Sequence, residues 1–165
     1  MIMADTADQN AATLYERDFA AWLDAQAGAL RERRFADLDL DNLIEEVESL
    51  RRAELRNVEH HARVVIAQLL QLAHSTLGDP RWSWKSTAMA HRHQLEMILT
   101  PTLRQEFEAR LEKVYACGRR LAATVLETEG TPDQWLPQKC PYTLAEILAD
   151  DWYPTNVYGF DRLES

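Results

Sequence analysis

The chain has 165 residues, of which 46% are apolar and 27% charged, with only 5 Gly and 6 Pro. That is about one domain, long enough for a core without staples, and its thrift with Gly and Pro favours long helices over many turns. The formal charge of −9 weighs against a nucleic-acid partner, because phosphate binding rests on clustered Lys and Arg.

Residues 1–12 are small and polar and read as a disordered lead-in. A first helix is expected from about Thr13 to Arg33, with Tyr15, Phe19, Trp22, Leu23 and Leu30 on its apolar stripe and Gln26 among them. The following "RERR" places positive charge near a helix C-terminus, where it complements the macrodipole. Asp39 is a good N-cap for a long second helix, Leu40 to Ser75. At about 100° per residue, Leu40, Leu43, Ile44, Val47, Leu50, Val58, Val65, Leu69 and Leu72 share one face of it. Its second half, "ARVVIAQLLQLA", is apolar on most sides and is expected to be the central post of a bundle.

Ser83 is expected to cap a third helix, about Trp84 to Leu99, whose stripe is Trp84, Ala88, His91, Leu95 and Ile98. Thr100–Pro101 is an N-cap followed by proline at the first helical position. The fourth helix then runs through Leu103, Phe107, Val114, Cys117, Leu121 and Val125 to about Glu129, and Gly130 stops it. Gly118 lies inside that helix at a cost in propensity, so a close helix crossing is expected there. Thr143 caps a short fifth helix, "LAEILAD", before an aromatic tail. The sum is an all-α fold: a single-domain helical bundle over residues 13–153 with about four principal helices, a short C-terminal helix, and a tail at 154–165.

Three segments in order are similar to one family. "YERDFAAWLDAQAGALRERRFADLDLDNLIEEVESLRRAE", "RWSWKSTAMAHRHQLEMILTPTLR" and "CPYTLAEILADDWYP" resemble the opening, middle and closing segments of the proteins grouped as domain of unknown function 29. The likeness spans roughly residues 13 to 154. Arg51 stands where the family often has Gly, Lys85 where it often has Arg, and Thr100-Pro101-Thr102-Leu103 replaces Ser-Pro-Ser-Leu with the same capping chemistry. The resemblance implies an almost entirely helical fold and brings no established activity, so no catalytic residue is carried over from it.

The residues themselves offer one cluster with chemistry. Glu54 and His61 are two turns apart on one face of the second helix, and His91 lies on the apolar stripe of the third. Carboxylate and imidazole ligands on facing helices are how bundle metal sites are built, and zinc or iron would accept them. Neither HExxH nor paired Glu-x-x-His is present. The plain structural reading is that Glu54 pairs with Arg51 at the edge of the core while the two histidines hydrogen-bond within the bundle. His93 points away from His91, by about 200°, and shares a polar face with Glu96. Glu45, Glu46 and Glu48 read as a solvated acidic face.

Arg81 and Trp82, in "RWSW", are candidates for a surface cation–π platform, with Trp84 plugging the bundle. Cys117 falls in a helical pattern and reads as a small buried hydrophobe, whereas Cys140, before Pro141, is the more reachable thiol. No GxSxG, CxxC or Gly-rich phosphate loop occurs, and no signal peptide or membrane-length apolar run. The chain therefore reads as a reduced, cytoplasmic, non-enzymatic protein-interaction or regulatory module. The alternatives are a metal- or small-ligand-binding bundle using Glu54, His61 and His91, and a nucleic-acid-associated regulator, which the charge disfavours.

Overall fold

The structure, a computed structural model, describes residues 14–78 and 80–160. Regular structure among the described residues is entirely helical: α1 Phe19–Arg31, α2 Leu40–His74, α3 Arg81–Ile98, α4 Pro101–Ala109, α5 Leu111–Thr128 and α6 Leu144–Leu148. Single 3-10 turns lie at Phe35–Asp37 and Asp133–Trp135. The all-α expectation stands, with its fourth helix divided at Arg110 (φ −110°, ψ 5°) into α4 and α5. The lead-in and the last five residues of the tail lie outside the described residues. No helix among the described residues is long and apolar enough to cross a membrane. Contacts divide the chain into two compact units, one ending at Ala53 and one beginning at Glu54, with α2 contributing to both.

In the first unit, residues 14–17 are also helical, and Asp18 follows them; its carboxylate accepts from the Ala21 N–H to start α1. Trp22 is fully buried, and its indole N–H donates to Asp39 at 3.1 Å. Gln26 is buried within the apolar stripe for a reason the stripe conceals: its side-chain oxygen accepts from the Asp39 N–H at 2.8 Å. Asp39, so held, caps α2 by accepting from the Asn42 N–H at 3.4 Å. The Tyr15 hydroxyl donates to Glu46 at 2.5 Å, and its own ionisation is pushed up to about 12 by that carboxylate.

The second unit holds the main core. Leu55, Val58, Ala62, Val65, Ile66, Leu69 and Leu70 of α2 are buried against residues of α3, α4, α5 and α6. Gly118 shows why α5 approaches so closely: a Cβ there would lie 2.8 Å from the Arg63 carbonyl oxygen and 2.9 Å from Ile66. The close crossing expected at Gly118 is present, and it turns the buried face of α5. Tyr115, Gly118, Ala122 and Leu126 face the core, and Leu121 and Val125 of the expected stripe are exposed. Helix α3 starts at Arg81, after Pro80, three residues before the position expected from Ser83. Thr100, Pro101 and the Thr143–Glu146 capping box start α4 and α6 as the sequence indicates.

Arg92 is the core's unexpected member, 1% exposed. Its guanidinium donates to the carbonyls of Ile147 and Glu146, each at 2.9 Å, and lies 5.0 Å from the Tyr153 ring centre. It thereby ties the last turn of α6 to α3. The tail is fastened as well: the Asn156 side-chain amide donates to the carbonyls of Leu72 and Ser75, closing the C-terminal end of α2.

Candidate metal centre

His60 and His61 are consecutive on α2 and straddle the line along which α3 brings His91. Each of the three offers a ring nitrogen, and these nitrogens all lie within 4.8 Å of one another. The ring centres of His60 and His61 stand 5.0–6.0 Å from that of His91, at 6.0 Å and 5.0 Å respectively. His60 is exposed, while His61 and His91 are half-buried.

The hydrogen bonds fix the protons. His61 Nδ1 and His91 Nδ1 are 2.8 Å apart, so one ring donates and the other accepts, and the acceptor is neutral. Burial holds both rings below the ordinary histidine range, with the neighbouring imidazoles adding to the effect. His60 Nδ1 lies 2.9 Å from an Arg63 guanidinium nitrogen. Guanidinium only donates, so His60 Nδ1 accepts and the proton of the neutral ring sits on Nε2.

His60 also lines a groove between α2 and α5, about 330 Å³ in volume, with Arg56, Glu59, Arg63, Lys113, Val114 and Cys117. It continues toward Arg120 and Thr124. Glu59 pairs with Arg110 at 3.3 Å. Arg56, Arg63, Lys113 and Arg120 form no ion pair among the described residues. Four cations without carboxylate partners in a chain of net charge −9 give this groove a local sign opposite to the whole.

The expected ligand set changes in one member. His61 and His91 come together, but Glu54 is exposed and stands outside the group of three nitrogens. Seven residues of helix carry Glu54 about 10 Å along the axis from His61, much farther than two ligands of one ion with bonds near 2 Å. His60 takes its place. The doubled "HH" was the available signal, since consecutive helical residues flank a groove where residues on one stripe merely follow it.

Other candidates also move. Arg81 is 2% exposed and donates to the Leu72 carbonyl at 2.8 Å, so it serves the end of α2 and not a surface platform. Trp82 remains 78% exposed. Lys85 and Arg92 lie over the ring of Tyr153. Cys117 is half-buried at the groove, where Arg120 donates to its sulfur at 3.4 Å. Cys140, expected to be the reachable thiol, packs against the core and donates to the Tyr142 carbonyl, and burial pushes its thiol up. His93 is exposed beside Glu96, at 3.8 Å.

A helical chain with a histidine group shared by two of its helices is the class that fold and site define. The chain belongs to the family described as "Domain of unknown function DUF29", whose model matches residues 14–153. No curated protein matches it. No solved structure matches it either.

Proposed function

We propose that this chain binds a first-row transition-metal ion, with zinc or iron suited to the donors, through His60, His61 and His91. The observation that carries the reading is the convergence of three imidazole nitrogens within 4.8 Å, from two helices. Tetrahedral nitrogens on bonds near 2 Å stand about 3.4 Å apart, so side-chain adjustments of about 1 Å assemble the set. Three histidines leave a fourth position for water or an exogenous ligand. The unpaired cations of the adjoining groove favour an anion there, a carboxylate or a phosphate.

The test uses untagged protein stripped by a chelator, titrated with Zn²⁺ by calorimetry and with Co²⁺ by visible absorption. One equivalent is expected, with the intense visible bands of tetrahedral cobalt. His60→Ala and His91→Ala should each weaken binding at least tenfold. His60 is exposed, so its removal spares the core. A dissociation constant weaker than about 1 mM for both ions would sink the reading.

A second reading, a non-enzymatic protein-interaction module, is favoured by a separate observation in the first unit. Leu40, Ile44, Val47 and Leu50 of α2 are 57–66% exposed, at 57%, 58%, 65% and 66%, and contiguous exposed apolar side chains mark contact surfaces. Recovery of one stoichiometric protein partner from the native host, lost in Val47→Asp, tests it; a face whose charging changes no association would count against it.

A further inference from the structure

We propose that the groove between α2 and α5 is a binding site for a linear oligophosphate, a di- or triphosphate chain either free or carried on a small molecule. The proposal goes beyond the metal reading: it needs no ion and uses side chains on both walls of the groove.

The first observation is the placement of charge. Arg56, His60 and Arg63 follow one another on α2 at steps of four and three residues, and Lys113, Cys117 and Arg120 do the same on α5, so each set forms one row along its helix. Both rows line the groove. The two helices run in the same direction, meeting at Glu59 and Arg110, at Arg63 and Gly118, and at Ser75 and Glu129. Arg56 and Lys113 therefore stand toward one end of the groove. Arg63 and Arg120 stand seven residues further on, about 10 Å along the axis. Each end carries a pair of cations.

The second observation is that no carboxylate among the described residues pairs with any of the four. Glu59 is the one carboxylate lining the groove, and Arg110 holds it at 3.3 Å. Arg63 donates once to His60 and Arg120 once to the Cys117 sulfur, which leaves most of their N–H groups for a ligand. Like charges gathered in this way repel one another until an anion sits among them. The amount of charge selects the anion. A carboxylate brings one negative charge and two oxygens, which a single arginine fork satisfies. A phosphate chain brings several charges, with oxygens along its whole length, within a groove of about 330 Å³. Guanidinium forks suit those oxygens, and the Lys113 ammonium adds a point charge. A nucleic-acid strand would run beyond the groove over a chain of net charge −9, which repels it. A short oligophosphate stays inside.

Calorimetric titration of the metal-free full chain, dialysed clear of chelator, with inorganic tripolyphosphate tests this. One equivalent is expected, with a Kd of about 100 μM or tighter that weakens as salt rises. Lys113→Glu and Arg120→Glu, toward opposite ends of the groove, should each weaken binding about tenfold or more. Both residues are exposed, so neither change strikes the core, and helical circular dichroism should be unchanged. Arg104→Glu is an equal change of charge at an exposed residue that lines neither part of the groove, and it should leave the affinity within about twofold. Adenosine triphosphate titrated alongside separates the two sources of the chain. An affinity no better than that of tripolyphosphate upholds the site for the phosphates alone, and a tighter one upholds it for a nucleotide. A Kd weaker than about 1 mM for both overturns the proposal. So does Arg104→Glu weakening binding as much as the groove variants, which would mark general charge attraction. A single-stranded oligonucleotide bound more tightly than either would make the groove a nucleic-acid surface and overturn the small-ligand assignment. Because no metal is present, failure here leaves the zinc reading of His60, His61 and His91 standing, and failure of the zinc titration leaves this one standing.

Discussion

The two halves of α2 share one helix and one apolar period yet have opposite fates. Leu40, Ile44, Val47 and Leu50 are more than half exposed, whereas Val58, Val65, Leu69 and Leu72 are completely covered. Periodicity specifies which face of a helix is apolar; it does not specify what covers that face. In the second unit the cover comes from this chain. In the first unit the described residues leave most of the row exposed.

The comparison breaks most easily at its buried end. Arg92→Ala has the largest expected effect, about 4 kcal/mol, because it removes two charge-assisted hydrogen bonds, to the Ile147 and Glu146 carbonyls, and empties a site that is 1% exposed. Thermal melting should fall by about 10 °C or more. Leu69→Ala, at a fully buried site, should cost about 3 kcal/mol through lost transfer energy and the cavity left behind. Leu50→Ala, on the same helix and the same stripe, should change the melt of dilute protein by less than about 0.5 kcal/mol. Comparable losses for the two leucines in dilute protein would mean that the exposed row is covered within the chain, and the contrast would fail.

Much of this was legible in the sequence, and the failures share a cause. Helix positions followed from capping chemistry that acts within a few residues: Asp39, Thr100–Pro101 and Thr143 all start helices where their side chains predict. What the sequence did not show depended on neighbours distant along the chain. The exposed half of α2 depends on what lies opposite it. The rotated face of α5 depends on Gly118 meeting Arg63 and Ile66. Arg92 between two histidines looks like a solvated cation until α6 presents two carbonyls to it. The site was half legible for the same reason: His61 and His91 lay on predicted faces, but His60 joins them only because a second helix passes on its side.

Gly118 sharpens the comparison from the covering side. Gly118→Ala sets a methyl against the Arg63 carbonyl, which is backbone and has little room to move. The expected cost is about 2 kcal/mol by overpacking, read as a lower denaturant midpoint with an unchanged slope. The same helix pair carries the groove, so α5 should shift away from His60 and the groove should widen. Gly28→Ala, in the first unit, meets nothing within 4 Å of the added carbon and should be neutral or slightly stabilising, since alanine favours a helix interior.

The last prediction bears on the metal reading, and its sign matters more than its size. Arg63 donates to His60 Nδ1, so in the neutral ring the other nitrogen carries the proton. An ion approaching Nδ1 must displace the guanidinium. An ion approaching Nε2 moves the proton to Nδ1, where it faces a group that can only donate. Either route ends the Arg63 contact and leaves two positive charges close together. Arg63→Ala should therefore tighten Zn²⁺ binding several-fold, about 1 kcal/mol, with the gain shrinking as salt screens the exposed charge. Because Arg63 is exposed, the metal-free melt should stay within about 0.5 kcal/mol of the parent. Looser binding in Arg63→Ala would show the guanidinium holding an anion that the ion needs, and would overturn the competition between Arg63 and metal for His60.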